Sequence, residues 1–189
     1  MRRLNNDDLF EGIARNDPGI SKVSVLGKKE VDLKRLVAAL SHNTVVKNVK
    51  FHQRDEEHGG RLLGDLLRVN NTITKLVIKG LFMGDEGARL LAAGLESNSS
   101  LTHLNLDRNG LSDVGPIFGA LKRNTSLRHL NLSSNTLRTG WGPVVRDAVR
   151  VNLTLTELDM HGAKIGDENA KVLAAGLEDN SSLTRLNLK

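Results

Sequence analysis

The sequence predicts an α/β solenoid: a curved array with a parallel sheet on its concave side and helices on its convex side. Three observations predict it. An Asn recurs at Asn16, Asn43, Asn70, Asn98, Asn124, Asn152 and Asn180, with spacings of 27, 27, 28, 26, 28 and 28 residues. After each Asn comes an apolar triplet, as in Leu101/Leu104/Leu106, and only the first triplet, Ile20/Val23/Val25, is one residue late. Within each unit the pattern then changes from alternation to helical spacing. Alternation marks a half-buried strand, and apolar residues three and four apart mark a helix. One strand and one helix cannot bury their own apolar faces, but stacked copies can.

Residues 1–16 read as a capping helix with no strand before it. Asn6 is the candidate N-cap, with Leu9, Phe10 and Ile13 on one helical face. Residues 17–180 read as six strand–helix repeats, and 181–189 as a seventh repeat that supplies its strand only. The strands should centre on Val23, Val49, Leu76, Leu104, Leu130, Leu158 and Leu186. The helices follow segments such as "GDEGARLLAAGLESN" at 84–98, where Ala88, Leu91 and Leu95 form the buried face. Asp85 and Glu86 stand in the first turn, where negative charge suits the helix dipole. Asn98 follows the last helical Leu, where Asn tolerates the left-handed conformation that ends a helix. The units fill 1–189 without a linker, so a single domain is expected.

The phrases "LTHLNLDRNGLSD" and "IGDENAKVLAAGLEDN" resemble leucine-rich repeats of the ribonuclease-inhibitor-like class, which also forms the sensing region of many NOD-like receptors. The resemblance covers 17–189 and implies the horseshoe fold; it implies little about function, because the class serves many roles. That class places Asn or Cys three residues after the third apolar position. Asn109 and Asn135 match, whereas Lys28, Arg54, Leu81 and Ala163 do not, so those four turns should be less regular. A narrower similarity covers roughly the first 80 residues. There "RNDPGISKVSV", "LVAALSHNTVVKNVKF" and "LLRVNNTITKLVI" look like the leucine-rich part of tropomodulin, which implies a module that caps actin filaments at the pointed end. No helical tropomyosin-binding arm accompanies it.

Composition narrows the setting. The chain has no cysteine, which excludes a disulfide framework and thiolate metal sites. The opening "MRRLNNDDLFEG" has no apolar signal core, and no run is long enough to span a bilayer, so a cytoplasmic protein is expected. Net charge is +5. The basic residues are dispersed over helical segments, and aromatics are 3% with no Tyr. A nucleic-acid ligand is therefore not favoured. Sequons such as Asn98-Ser99-Ser100 follow from the repeat pattern and carry no separate meaning.

In each strand the residues between the apolar positions face outward. The candidate partner-binding face is Lys22, Lys50, Lys75, Lys79, His103, Asn105, Asp107, His129, Asn131, Glu157, Asp159 and His161. Its first three strands carry Lys and no acid, its middle strands His and Asn, its sixth strand two acids. Separated signs suit oriented capture of a charged partner protein, while so few charges could also sort by chance. Glu157, Asp159 and His161 alternate on one strand, about 6.6 Å apart, too far for a shared metal shell. No nucleophile–base pair and no phosphate loop stand at defined spacing, so neither an enzyme nor a cofactor is expected.

Two aromatic positions break the pattern. Leu81 and Phe82 occupy turn positions held elsewhere by Asn109 and Gly110, and form a candidate apolar rim contact. Trp141 stands at a helix start between Gly140 and Gly142, as a lid over the gap or as an interface anchor. The seventh unit stops after its strand, so either the chain is a piece of a longer one or a partner pairs with that edge. Residues 84–106 and 166–188 match at 18 of 23 positions, offset by 82.

Overall fold

The computed structural model describes residues 6–26, 32–52, 59–138 and 140–189. Seven strands form one sheet in sequence order, every neighbouring pair parallel. They are β1 (Lys22–Leu26), β2 (Asn48–His52), β3 (Lys75–Ile78), β4 (His103–Asn105), β5 (His129–Asn131), β6 (Glu157–Asp159) and β7 (Arg185–Asn187). Seven helices alternate with them: α1 (Asn6–Ala14), α2 (Leu33–Ser41), α3 (Gly59–Val69), α4 (Gly84–Ser97), α5 (Gly115–Leu121), α6 (Gly142–Val151) and α7 (Gly166–Leu177). Each helix packs on the helix of the next unit. The expected strand centres fall inside the strands and pair in one row, Val23, Val49, Leu76, Leu104, Leu130, Leu158 and Leu186.

The core lies between the sheet and the helices. It is continuous from Phe10 and Ile13 of α1 to Leu173 of α7. On the convex side α3 and α4 meet through glycines. A Cβ on Gly60 would lie 2.3 Å from the Gly87 backbone, and one on Gly94 would lie 2.1 Å from the Gly64 carbonyl oxygen. Glycine here lets two backbones touch, which packs the convex layer tightly.

The recurring Asn does different work from that expected. Asn98 and Asn152 are extended, at φ −75°, ψ 130° and φ −80°, ψ 123°. Only Asn16 of the series has a left-handed φ, 57°. The buried Asn98 donates through Nδ2 to the carbonyls of Leu67 and Asn70, at 2.8 and 3.0 Å, and accepts through Oδ1 from the Ser100 and Leu101 amides. Asn70, Asn124 and Asn152 repeat the arrangement one unit apart. Each Asn therefore satisfies carbonyls left open at the end of the preceding unit's helix and turns its own chain into a strand. A polar ladder runs through the core, and a buried amide is stable there because both its ends are bonded.

The turns after the strands also depart from expectation. Lys28 and Arg54 lie outside the described residues. Leu81 and Ala163 were expected in irregular turns, yet each is flanked by two left-handed residues (Gly80 and Phe82; Gly162 and Lys164), as Asn109 is by Arg108 and Gly110. In the Leu81 turn the Asn of the next unit binds the backbone as it does one unit on: Asn109 Oδ1 accepts from the Leu81 amide and Asn135 Oδ1 from the Asn109 amide. Trp141 is buried at the start of α6, which matches the lid, and its indole N–H has no partner among the described residues.

Candidate functional site

The concave sheet surface encloses an open concavity of about 800 Å³ running from Lys50 to Asn187. Strand register arranges its floor in columns. One column is Lys22, Asn48, Lys75, His103, His129, Glu157 and Arg185; the next is Ser24, Lys50, Val77, Asn105, Asn131, Asp159 and Asn187. Of the predicted face, Lys50, Lys75, His103, Asn105, His129, Asn131, Glu157 and Asp159 line this space. Lys22, Lys79, Asp107 and His161 do not.

The first column is internally bonded. The His103 and His129 rings stack at 4.0 Å with 20° between planes. His129 Nδ1 lies 2.9 Å from Glu157 Oε2, and Arg185 donates to Glu157 Oε1 at 2.7 Å. The His129 hydrogen bond, joined by the charge of Arg185, holds the Glu157 carboxyl below the usual range. Partial burial, His129 and the Lys75 ammonium hold His103 below the usual imidazole range, against a smaller pull from Glu157. The acids of β6 are therefore not equivalent: Glu157 is engaged, whereas Asp159 makes no ion pair among the described residues.

The second column is shaped by its own backbone. Asn105 Oδ1 accepts the Asp107 amide at 2.9 Å and Asn131 Oδ1 the Ser133 amide at 2.8 Å. Asp159 does the same for His161 and Asn187 for Lys189. This turn two residues ahead fixes each side chain at the strand end. The amide orientation is thus set by a bond only oxygen can make, which leaves Nδ2 as the group available to donate.

Two expectations need correction. Lys79 and Asp107 were assigned to ligand steering, but Lys79 Nζ lies 2.7 Å from Asp107 Oδ2, and Asp107 is buried as that pair closes over the strand ends. The apolar rim pair splits: Leu81 is 1% exposed, seated in the position that Asn109 fills one unit on, while Phe82 is 48% exposed. Asp85 stands in the first turn of α4 as expected, and it is also an inter-repeat clamp. It accepts from the Ser112 amide, the Ser112 hydroxyl and the Asp113 amide at 2.7, 2.6 and 2.9 Å. Burial pushes its pKa up, but those bonds and Arg138 outweigh it and hold the carboxyl below its ordinary value. Sequence reasoning also left Arg185, Val77 and Asn187 out of the site. The signal was available, because each stands in register with a residue that was chosen.

Among the described residues no group of three His, Cys, Asp or Glu side chains is placed to hold a metal ion, and no helix is long and apolar enough to cross a membrane.

Residues 97–115, 123–139 and 151–174 match the family model described as Leucine Rich repeat. These are leucine-rich repeats. Leiomodin-2 of Mus musculus is 28% identical over 102 residues, 52% of this chain and 18% of that protein, and leiomodin-2 of Homo sapiens is 26% identical over the same length. The chain thus matches about a fifth of the length of these relatives. A tropomodulin C-terminal domain of Caenorhabditis elegans shares the repeat fold, with TM-score 0.58 and 16% identity over 94% of this chain and 93% of that one. A structure titled Leiomodin-1 Actin-Binding Site 2 aligns over 94% of this chain and 92% of that one with TM-score 0.47 and 22% identity.

Proposed function

We propose that this leucine-rich repeat array is a protein-interaction scaffold that binds a partner protein on its concave face. The observation that supports it is the set of charges left after internal pairing. Glu157 is engaged by His129 and Arg185, and Lys79 by Asp107. Lys50, Lys75 and Asp159 are not so engaged among the described residues, and they line one preformed concavity. A rigid sheet loses little ordering entropy on binding. Unspent charges steer and orient a partner, less so as salt rises. Phe82 offers an apolar contact at the rim. Affinity capture from a native lysate tests the reading. Lys50→Glu with Lys75→Glu should abolish capture at low salt without lowering the melting temperature, and Phe82→Ala should weaken it at all salts. Capture that survives the concave pair but is lost with the convex Arg89→Glu and Arg146→Glu overturns it.

A second reading is the cytoskeletal one: an actin-filament capping module of tropomodulin type. The leiomodin-2 similarity and the tropomodulin-like fold favour it over other partners. It predicts slowed pointed-end elongation at micromolar protein, and unchanged elongation removes it.

A further inference from the structure

We infer that the concave face recognises an extended peptide segment carrying an acidic side chain and, about four residues away along the extended chain, a basic one. The inference rests on the concave-face reading and specifies its ligand. Its basis is the donor pattern of the central strands. Asn105 and Asn131 have spent their Oδ1 atoms on the backbone amides two residues ahead. Their Nδ2 groups donate to no other described residue, and the two residues line the concavity. The middle of the second column therefore offers unused donors, while its amide oxygens are already bonded to backbone amides. Lys50 belongs to the same column on β2, beyond Val77, and Lys75 stands on β3 in the first column beside it. Spread over β2 to β5, the four groups form a donor-lined seat for a carboxylate centred over β3 and β4.

On the other side the pattern reverses. Asp159 occupies the Asn131 position one strand on, keeps the same turn through Oδ1, and presents its second oxygen as an unpaired acceptor. A carboxylate in the ligand is repelled there and a Lys or Arg is attracted. From β3 to β6 is three strand spacings, about 14 Å, which an extended chain crosses in about four residues. The half-buried Val77 forms an apolar floor beneath the acidic end. A continuous polyanion, such as a nucleic-acid backbone, would run from the donor seat directly onto Asp159 and Glu157, so the seat is matched to an isolated acid on a mixed-charge segment.

The experiment uses the whole chain and synthetic seven-residue peptides of Thr and Val carrying one Glu and one Arg at separations from one to six. Binding is read from the side-chain amide resonances of Asn105 and Asn131. The largest shifts should occur at a separation near four, be absent in peptides with Gln replacing both charges, and be smaller for polyglutamate and for a phosphorylated peptide. Asn131→Asp is the decisive variant. It keeps the backbone-accepting oxygen, as Asp159 does naturally, and replaces only the outward donor. It should leave the melting temperature unchanged and weaken the best peptide about tenfold or more. Asp159→Asn should remove the preference for separation while leaving the Glu requirement. Shifts independent of spacing, equal shifts from polyglutamate or the phosphopeptide, or an Asn131→Asp protein that binds normally would each overturn the inference. A partner that still perturbs the concave amides would in that case leave the scaffold reading standing, whereas perturbation confined to the helices would remove both.

Discussion

Residues 84–106 and 166–188 are nearly the same sequence in two places. Each folds as a helix, a turn and a strand, α4 with β4 and α7 with β7. Their surroundings differ. Leu104 is 2% exposed and Leu186 36%; Leu106 is fully buried and Leu188 is 36% exposed. Asp85 holds the next unit's turn with three hydrogen bonds, while its counterpart Asp167 is exposed and makes no such clamp. Identical side chains are core in one unit and surface in the other because units α5 and β5 cover the first copy. Local sequence makes the unit, and the neighbour makes the core. This is the nearest-neighbour energetics expected of a repeat array.

The largest test of that comparison exchanges a central Leu for a charge. Leu104→Asp should abolish cooperative unfolding, since it strands an unpaired carboxylate among apolar side chains. Leu186→Asp should leave a folded protein whose urea midpoint changes little. Milder truncation should keep the order, with Leu104→Ala costing about 2–5 kcal/mol and Leu186→Ala clearly less.

Next comes the paired glycine. Gly94→Ala drives a methyl into the Gly64 carbonyl at 2.1 Å, between two backbones. Gly176→Ala meets the Arg146 carbonyl at 2.8 Å, a less severe approach. Both should lower the melting temperature, Gly94→Ala more. Equal losses would show that α7 is held as firmly as α4.

The clamp gives a smaller effect. Asp85→Ala leaves the Ser112 and Asp113 amides without their acceptor and should cost about 1–3 kcal/mol in denaturant titration, against almost none for Asp167→Ala. Its pKa is depressed in the fold, so its stabilisation is present above the unfolded carboxyl value of 3.8 and is lost as pH falls through the folded value. The Asp85→Ala protein should therefore lose less stability on acidification than the parent.

The smallest effect concerns a position where the two copies differ, His103 against Arg185. The folded pKa of His103 is lowered, so its protonation opposes folding. Stability should fall as pH drops through 6.5 toward that folded value and then level off, whereas above 6.5 this group contributes no slope. His103→Gln should flatten melting temperature over that window. A slope unchanged by the substitution would assign it to other groups.

The actual sequence, read alone, determined the period, the strand centres and which side chains alternate in and out. Those follow from local patterning, since alternation and helical spacing leave one arrangement that turns the apolar triplets and the helical Leu faces toward each other. It also located the Asn series, and eight of the twelve face residues lie in the concavity. The tertiary structure decided what the patterning leaves open. Whether Asn98 turns left-handed or caps the unit before it depends on carbonyls 28 and 31 residues away. Whether Lys79 meets a ligand or Asp107, and Glu157 a partner or Arg185, depends on strand register. Leu81 is buried in the core while the next unit's Asn109 accepts its backbone amide, a bond made by a residue 28 positions away. In a repeat protein each unit carries the groups it can offer, and the adjoining unit, one strand spacing away, determines which of them are consumed.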